Sequence, residues 1–191
     1  MEDFYIHQIG AIDNLETYKR LQKILEIGSL YSRKKMDELG IDYSSLEPVF
    51  CLNIKEGEEY KYYNEDIHYD IVSMSDPSNR FLQKAINKKI EFDCFNPNFI
   101  ALAISKDITP FLVKKEEMHG AAIGEVQIKE CVNKNFIKGL ILPLENNCSR
   151  ENLKLLEKLQ RLCLECNFYL PIYNYEGNYL LNAGKRVVSK R

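Results

Sequence analysis

Tryptophan is absent, and histidine appears only at His7, His68 and His119. So few imidazoles leave little material for a histidine-rich metal centre, and no metal is expected. No G-x-x-x-x-G-K-[ST] or G-x-G-x-x-G occurs, which removes the two common glycine loops that cradle phosphates. H-E-x-x-H is missing, as is the G-x-S-x-G nucleophile elbow. Any chemistry must come from residues distant in sequence and gathered by the fold. The chain also lacks an apolar run near the roughly 20 residues that a membrane span requires. Its opening, "MEDFYIHQIG", is acidic with no apolar run behind a positive region, so no secretory leader is expected and the chain reads as cytoplasmic. An excess of one charge sign is lacking too: 26 Lys plus Arg against 28 Asp plus Glu give a net of −2. That balance argues against a broad nucleic-acid or membrane surface and leaves room for a local basic patch.

What is present is a globular composition. Apolar residues make up 45% and charged residues 28% of 191, a length that suits a single domain, residues 1–191, with a real core. The six cysteines, without a leader, read as reduced thiols. Cys163 and Cys166 form a C-x-x-C, but Cys51, Cys94, Cys131 and Cys148 stand alone, so a four-thiolate zinc site lacks its second pair. Three apart on a helix, the two thiols continue the stripe of Leu153, Leu156 and Leu159, which predicts core packing.

Alternation in "DFYIHQI" (3–9) predicts a strand with Tyr5, His7 and Ile9 on one face and Phe4 and Ile6 on the other. A helix follows, capped at Asp13 or Asn14, with Leu15, Tyr18, Leu21, Ile24 and Leu25 on its apolar face and Gly28 at its end. "SLYSRKKMDELGI" reads as a turn and then a short charged helical turn. Strands are expected at 49–54, 70–75, 99–105, 110–113, 123–129 and 136–142, with helices at 79–89 and, capped by Ser149, at 149–166. "FYLPIYNYEGNYLL" predicts a closing hairpin that turns at Glu176-Gly177. This order is not β-α-β alternation. It predicts an α+β fold with a mostly antiparallel sheet.

One strand raises a chemical question. "GEVQIKECV" (124–132) turns Val126 and Ile128 to the core, which leaves Glu125 and Gln127 on the other face. A solvated face accounts for that pattern by itself. A cleft in which Glu125 does chemistry accounts for it too.

Two earlier segments bear on the choice. "FYIHQIGAIDNLETYKRLQKILEIGSLYSR" carries His7 on a first strand, then a helix, then "SLYSR"; "DIVSMSDPSNRF" carries Ser73 on a strand. Together with Glu125 leading a late strand, and "FIKGLILP" after it, these segments resemble the ADP-ribosyltransferase superfamily, most closely its DarT-like branch. The resemblance covers about residues 4–143, so the helix and hairpin at 149–182 would be an element packed on that core. It implies an ADP-ribosyltransferase-like fold of two packed, mostly antiparallel sheets with flanking helices, around a cleft that takes NAD as substrate.

The activity so implied is an NAD-dependent mono-ADP-ribosyltransferase, a transferase with a toxin or defence role. Glu125 would place negative charge where an oxocarbenium-like transition state develops positive charge. Arg33 would meet the substrate or the NAD phosphates, His7 would bond a ribose hydroxyl, and Ser73 takes the position of the superfamily's second-strand serine or tyrosine. Tyr31, Tyr69 and Phe81 are the aromatics that would stack on nicotinamide. Each has a plainer reading: a half-buried histidine, a serine bonded to backbone, an arginine on a solvated face. Where arginine-modifying relatives carry Glu or Gln two residues before the glutamate, this chain has Ile123, which argues against arginine as acceptor. "VKKEEMHGAAI" (113–123) occupies the place of the target-recognition loop. Nucleic acid is favoured over protein as acceptor by Arg33, Lys34, Lys35, Lys88, Lys89, Lys114 and Lys115, with Tyr62, Tyr63 and Tyr69 as stacking surfaces. The net charge of −2 opposes it. The alternatives are an NAD glycohydrolase, with water as acceptor, and a non-catalytic nucleotide- or partner-binding module on the same scaffold.

Overall fold

A computed structural model describes residues 4–9, 14–41, 70–76, 100–118, 125–142, 150–174 and 179–182. The near-continuous apolar run Ile100–Ser105 (β4) lies in the middle of its main sheet, where Ala101, Leu102, Ala103 and Ile104 are fully buried. Phe4–Ile9 (β1) pairs with one edge of β4 and Ile137–Leu142 (β7) with the other, both antiparallel. Ile71–Ser75 (β3) and Glu125–Lys129 (β5) extend the sheet beyond β1. Pro171–Asn174 (β8) and Tyr179–Asn182 (β9) extend it beyond β7. The order is β5-β3-β1-β4-β7-β8-β9. Among the described strands only the β7–β8 pair is parallel, and the helix Arg150–Glu165 (α3) is what lets the chain return in the same direction.

Asn14–Ile27 (α1) and α3 supply the helical side of the core. Leu21, Ile24 and Leu25 from α1 join Leu156, Leu159, Leu162 and Cys163 from α3 in one cluster with Tyr5, Ile9, Leu102, Ile104, Leu140 and Ile172. Leu153 does not extend this stripe, being half exposed. A second, smaller cluster of Ala101, Ala103 and Ile141, with Phe4 and Ile6 against it, lies on the other face of the sheet. Gly139 is needed there, because a Cβ at that position would come within 2.9 Å of the Tyr173 ring and 3.1 Å of the Pro171 carbonyl.

Helix ends follow local chemistry. Ser32 caps the short helix Arg33–Glu38 (α2) by accepting from the Lys35 amide, and Gly40 at φ +66° closes it with bonds from Gly40 N to Asp37 O and from Ile41 N to Met36 O. Asn167 at φ +52° closes α3 in the same way, with Phe168 N bonding Cys163 O.

Several expectations are met: strand, helix and hairpin locations around 3–9, 14–27, 70–75, 99–105, 136–142, 149–166 and 168–182 match elements to within a few residues. Others are corrected. The expected strand at 110–113 is a 3-10 turn, Lys106–Phe111, followed by a single bridge from Leu112 to Ile128. Pro110 has no N–H for a ladder, and Ser105 caps the turn by accepting from Asp107 N. "SLY", read as a turn, is a strand, Ser29–Tyr31 (β2), paired with Cys131–Asn133 (β6). The described strands therefore form one seven-stranded sheet and a two-stranded ribbon, which is less even than two comparable sheets. The expected strand 49–54, the helix 79–89, the caps Asp13 and Ser149, and the turn at Glu176-Gly177 lie outside the described residues.

Candidate active site

Register explains how one face of the sheet gathers polar groups. Val72 and Met74 of β3 stand opposite Ile128 and Val126 of β5 and enter the core. Ser73, Glu125 and Gln127 share the opposite face, with Ser73 the direct ladder partner of Gln127 and Glu125 in register with position 75. Across that diagonal the Ser73 hydroxyl donates to Glu125 Oε1 at 2.7 Å. Gln127, two residues along the same strand, donates from Nε2 to the same oxygen at 3.0 Å. Glu125 is half-buried and Gln127 buried. A carboxylate on a freely wet strand face would have no such cradle.

His7 lies on the core side of the sheet, opposite the Glu125 face, and its ring meets this cluster at the Ser73 main chain. The β1–β3 pairing consists of Ile6 opposite Ser75, and alternation puts His7 with Tyr5 and Ile9. Its ring bridges the two strands, Nδ1 lying 2.8 Å from the Ser73 carbonyl oxygen. A carbonyl can only accept, so Nδ1 carries the proton and Nε2 is the acceptor of the neutral ring. Burial holds the His7 pKa below its usual 6.5, outweighing the opposing effect of the Ser73 carbonyl. Ser73 thus serves both neighbours: its carbonyl takes His7 and its hydroxyl takes Glu125.

Tyr31 and Arg33 lie elsewhere. Tyr31 ends β2 opposite Cys131, and Ser32 N bonds Glu130 O, just past the far end of β5. From Glu125 that end is five ladder steps away, about 17 Å. Arg33, exposed at the start of α2, belongs to that end of the sheet. Tyr69 and Phe81 lie outside the described residues, as do Ile123 and the recognition-loop residues beyond Met118.

Gln127 was visible in the sequence as the neighbour of Glu125 on the same face, but nothing there marks it as a partner of the carboxylate. The pairing of residues 112–113 with β5 was not foreseen either. The Leu112–Ile128 bridge and the bond from Val113 N to Gln127 O at 2.8 Å lay this segment antiparallel along the outer edge of β5. Exposed Lys114 and Lys115 follow toward the Glu125 end. A hollow of about 250 Å³, lined by Phe111, Ile128, Lys129, Cys131, Asn133 and Phe136, sits at the opposite end of β5. It is smaller than the roughly 300–1,000 Å³ of ordinary small-molecule sites, and Glu125 does not line it. This hollow is not the expected NAD cleft.

The Cys163 thiol is buried in the core and pushed up to about 12 by that burial, so it is no ready nucleophile or metal ligand. Among the described residues no group of His, Cys, Asp or Glu side chains is placed to hold a metal ion. No helix among them is long and apolar enough to cross a membrane. These features define a mixed α+β protein, built on a mostly antiparallel sheet, with a held carboxylate at one edge. No protein-family description, curated protein or solved structure matches the chain.

Proposed function

We propose that this chain is an NAD-dependent mono-ADP-ribosyltransferase with an ADP-ribosyltransferase-like fold, in which Glu125 is the catalytic carboxylate. The observation that carries the reading is the pair of hydrogen bonds that the Ser73 hydroxyl and the Gln127 amide place on Glu125 Oε1. The three strands that carry the family resemblance, with His7, Ser73 and Glu125, are also neighbours in the sheet, in the order β1, β3, β5. In the reaction the C–N bond between nicotinamide and its ribose breaks, nicotinamide leaves with the bonding electrons, and the acceptor's nucleophile bonds the ribosyl carbon and gives up its proton. Glu125 opposes the positive charge that develops on the ribose.

The residues that fit a nicotinamide riboside on this face are the Glu125 carboxylate and the Ser73 hydroxyl beside it, while His7 stands on the core side of the sheet and supports them through the Ser73 carbonyl. Tyr31 and Arg33 are candidates for the distant end of the dinucleotide. For the acceptor we favour nucleic acid over protein, because Lys114 and Lys115 are exposed on the segment that runs along β5 toward Glu125.

The test is NAD consumption by the wild type and by Glu125→Gln, with and without single-stranded nucleic acid or protein added. Glu125→Gln should lose roughly 10²–10³ of the turnover while keeping its circular dichroism spectrum and melting transition. Consumption without any adduct identifies a glycohydrolase. Wild-type rates in the variant, or no NAD consumption by either protein, sink the assignment.

A further inference from the structure

We propose that Gln127 is a positioning residue for Glu125, orienting its carboxylate for the reaction. The inference rests on the reading of Glu125 as the reacting group. Gln127 is 2% exposed, which is unusual for a glutamine on the polar face of a strand near a sheet edge. Its backbone is fixed from both sides: Ser73 of β3 is its ladder partner, and its carbonyl accepts from Val113 N on the outer edge. The amide Nε2 donates to Glu125 Oε1, the same oxygen that takes the Ser73 hydroxyl. The terminal torsion of a glutamate is broad and roughly two-fold, so a lone carboxylate can rotate through many orientations. Two donors from rigid strands, converging on one oxygen, select one of them.

The residue type matters as much as its place. A lysine or arginine at 127 would also donate, but its charge would cancel the negative charge that Glu125 brings to the transition state. An aspartate or glutamate would repel it. An amide donates without adding charge, so it can hold the carboxylate and leave its electrostatic effect intact.

The experiment measures NAD consumption against pH for wild type, Gln127→Leu, Gln127→Glu and Glu125→Gln, each first shown to be folded by its melting transition. Gln127→Leu should lower kcat about ten- to a hundredfold, as misplacement of a reacting group does, with KM for NAD within twofold of wild type. Gln127→Glu should be rescued by acid. When its introduced carboxyl is protonated it donates as the amide did, and when both carboxyls are ionised they repel. Its activity relative to wild type should therefore be at least tenfold higher at pH 5 than at pH 8. A residue that merely fills space would give a loss independent of pH, so the rescue also decides the matter if Gln127→Leu does not fold. A wild-type kcat in Gln127→Leu, or a Gln127→Glu profile parallel to wild type, overturns the proposal while an inactive Glu125→Gln leaves the functional reading standing. A fully active Glu125→Gln overturns both.

Discussion

Glutamate at 125 and histidine at 7 illustrate how much of a residue's role is set by its neighbours. Glu125 takes hydrogen bonds from two side chains that are 52 positions and two positions away in sequence. The sequence shows a strand that spares one face, which is all that alternation can reveal. It does not show that Ser73 would face Gln127, because register is a property of the folded pair. His7 was legible as a strand residue beside Tyr5 and Ile9. Its bond to the Ser73 main chain was not, since a backbone acceptor leaves no mark in the sequence. The burial of His7 has a measurable consequence. In the unfolded chain His7 titrates near 6.5, and in the fold burial lowers its pKa, so the unfolded state binds the proton more readily. The stabilising contribution of neutral His7 is fully present above about 6.5, declines as pH falls below it, and levels off once the folded ring is protonated as well. Thermal melts between pH 7.5 and 5 should show a loss of stability for wild type that is smaller in His7→Gln, whose amide can still donate to the Ser73 carbonyl without gaining charge. Equal losses in the two proteins would show that other groups dominate the acid response.

At the scale of elements, local chemistry predicts well where the element satisfies itself and poorly where a partner decides. α1 and α3 were legible because their apolar stripes are encoded within each segment, and for α1 so was the closing Gly28, whereas the Asn167 closure of α3 was not read. The error at 110–113 came from reading apolar residues as a strand across Pro110, when Ser105 and Asp107 had already started a turn. The three-residue strand β2 was missed because it exists only through β6. Between β6 and β5 the chain passes through Glu130 at φ +66°, with Glu130 N bonding Asp70 O, and there it leaves the main sheet for the ribbon. The parallel contact of β7 with β8 depends on a similar feature with no side chain to announce it. Tyr173 lies against Gly139, with its ring 6.4 Å from Phe4 and 6.1 Å from Tyr179. The ring is hemmed in, and the Pro171 carbonyl is backbone, so neither can yield cheaply to a methyl group. Gly139→Ala should destabilise by about 1–3 kcal/mol in chemical denaturation, the usual range for overpacking. An unchanged midpoint would mean that Tyr173 swings away freely.

Across the whole molecule, the sequence foretold a mixed fold with a mostly antiparallel sheet, and the structure has one. Strand order lay beyond it, because the number of residues between two strands does not say which will be neighbours. Here β3 and β5 are separated by more than 45 residues yet pair over their full length. That order brings the segment before β5 alongside the edge that carries Glu125 and gives the acceptor proposal a physical form. Lys114, Lys115 and Lys129 are exposed on or beside β5, and Glu116, Glu117 and Glu130 are exposed among them. A net charge of −2 supplies no long-range pull on a polyanion, so any single strand must be held by local contacts. If the three lysines each meet a phosphate, the logarithm of the association constant for a short single strand should fall with the logarithm of salt concentration at a slope of about −2, from roughly 0.7 per contact. Binding of a fluorescent oligonucleotide between 50 and 200 mM salt measures that slope, and Lys114→Ala with Lys115→Ala should reduce it by about 1.4. A flat response would show that the interspersed glutamates neutralise the lysines, and would turn the choice of acceptor to protein.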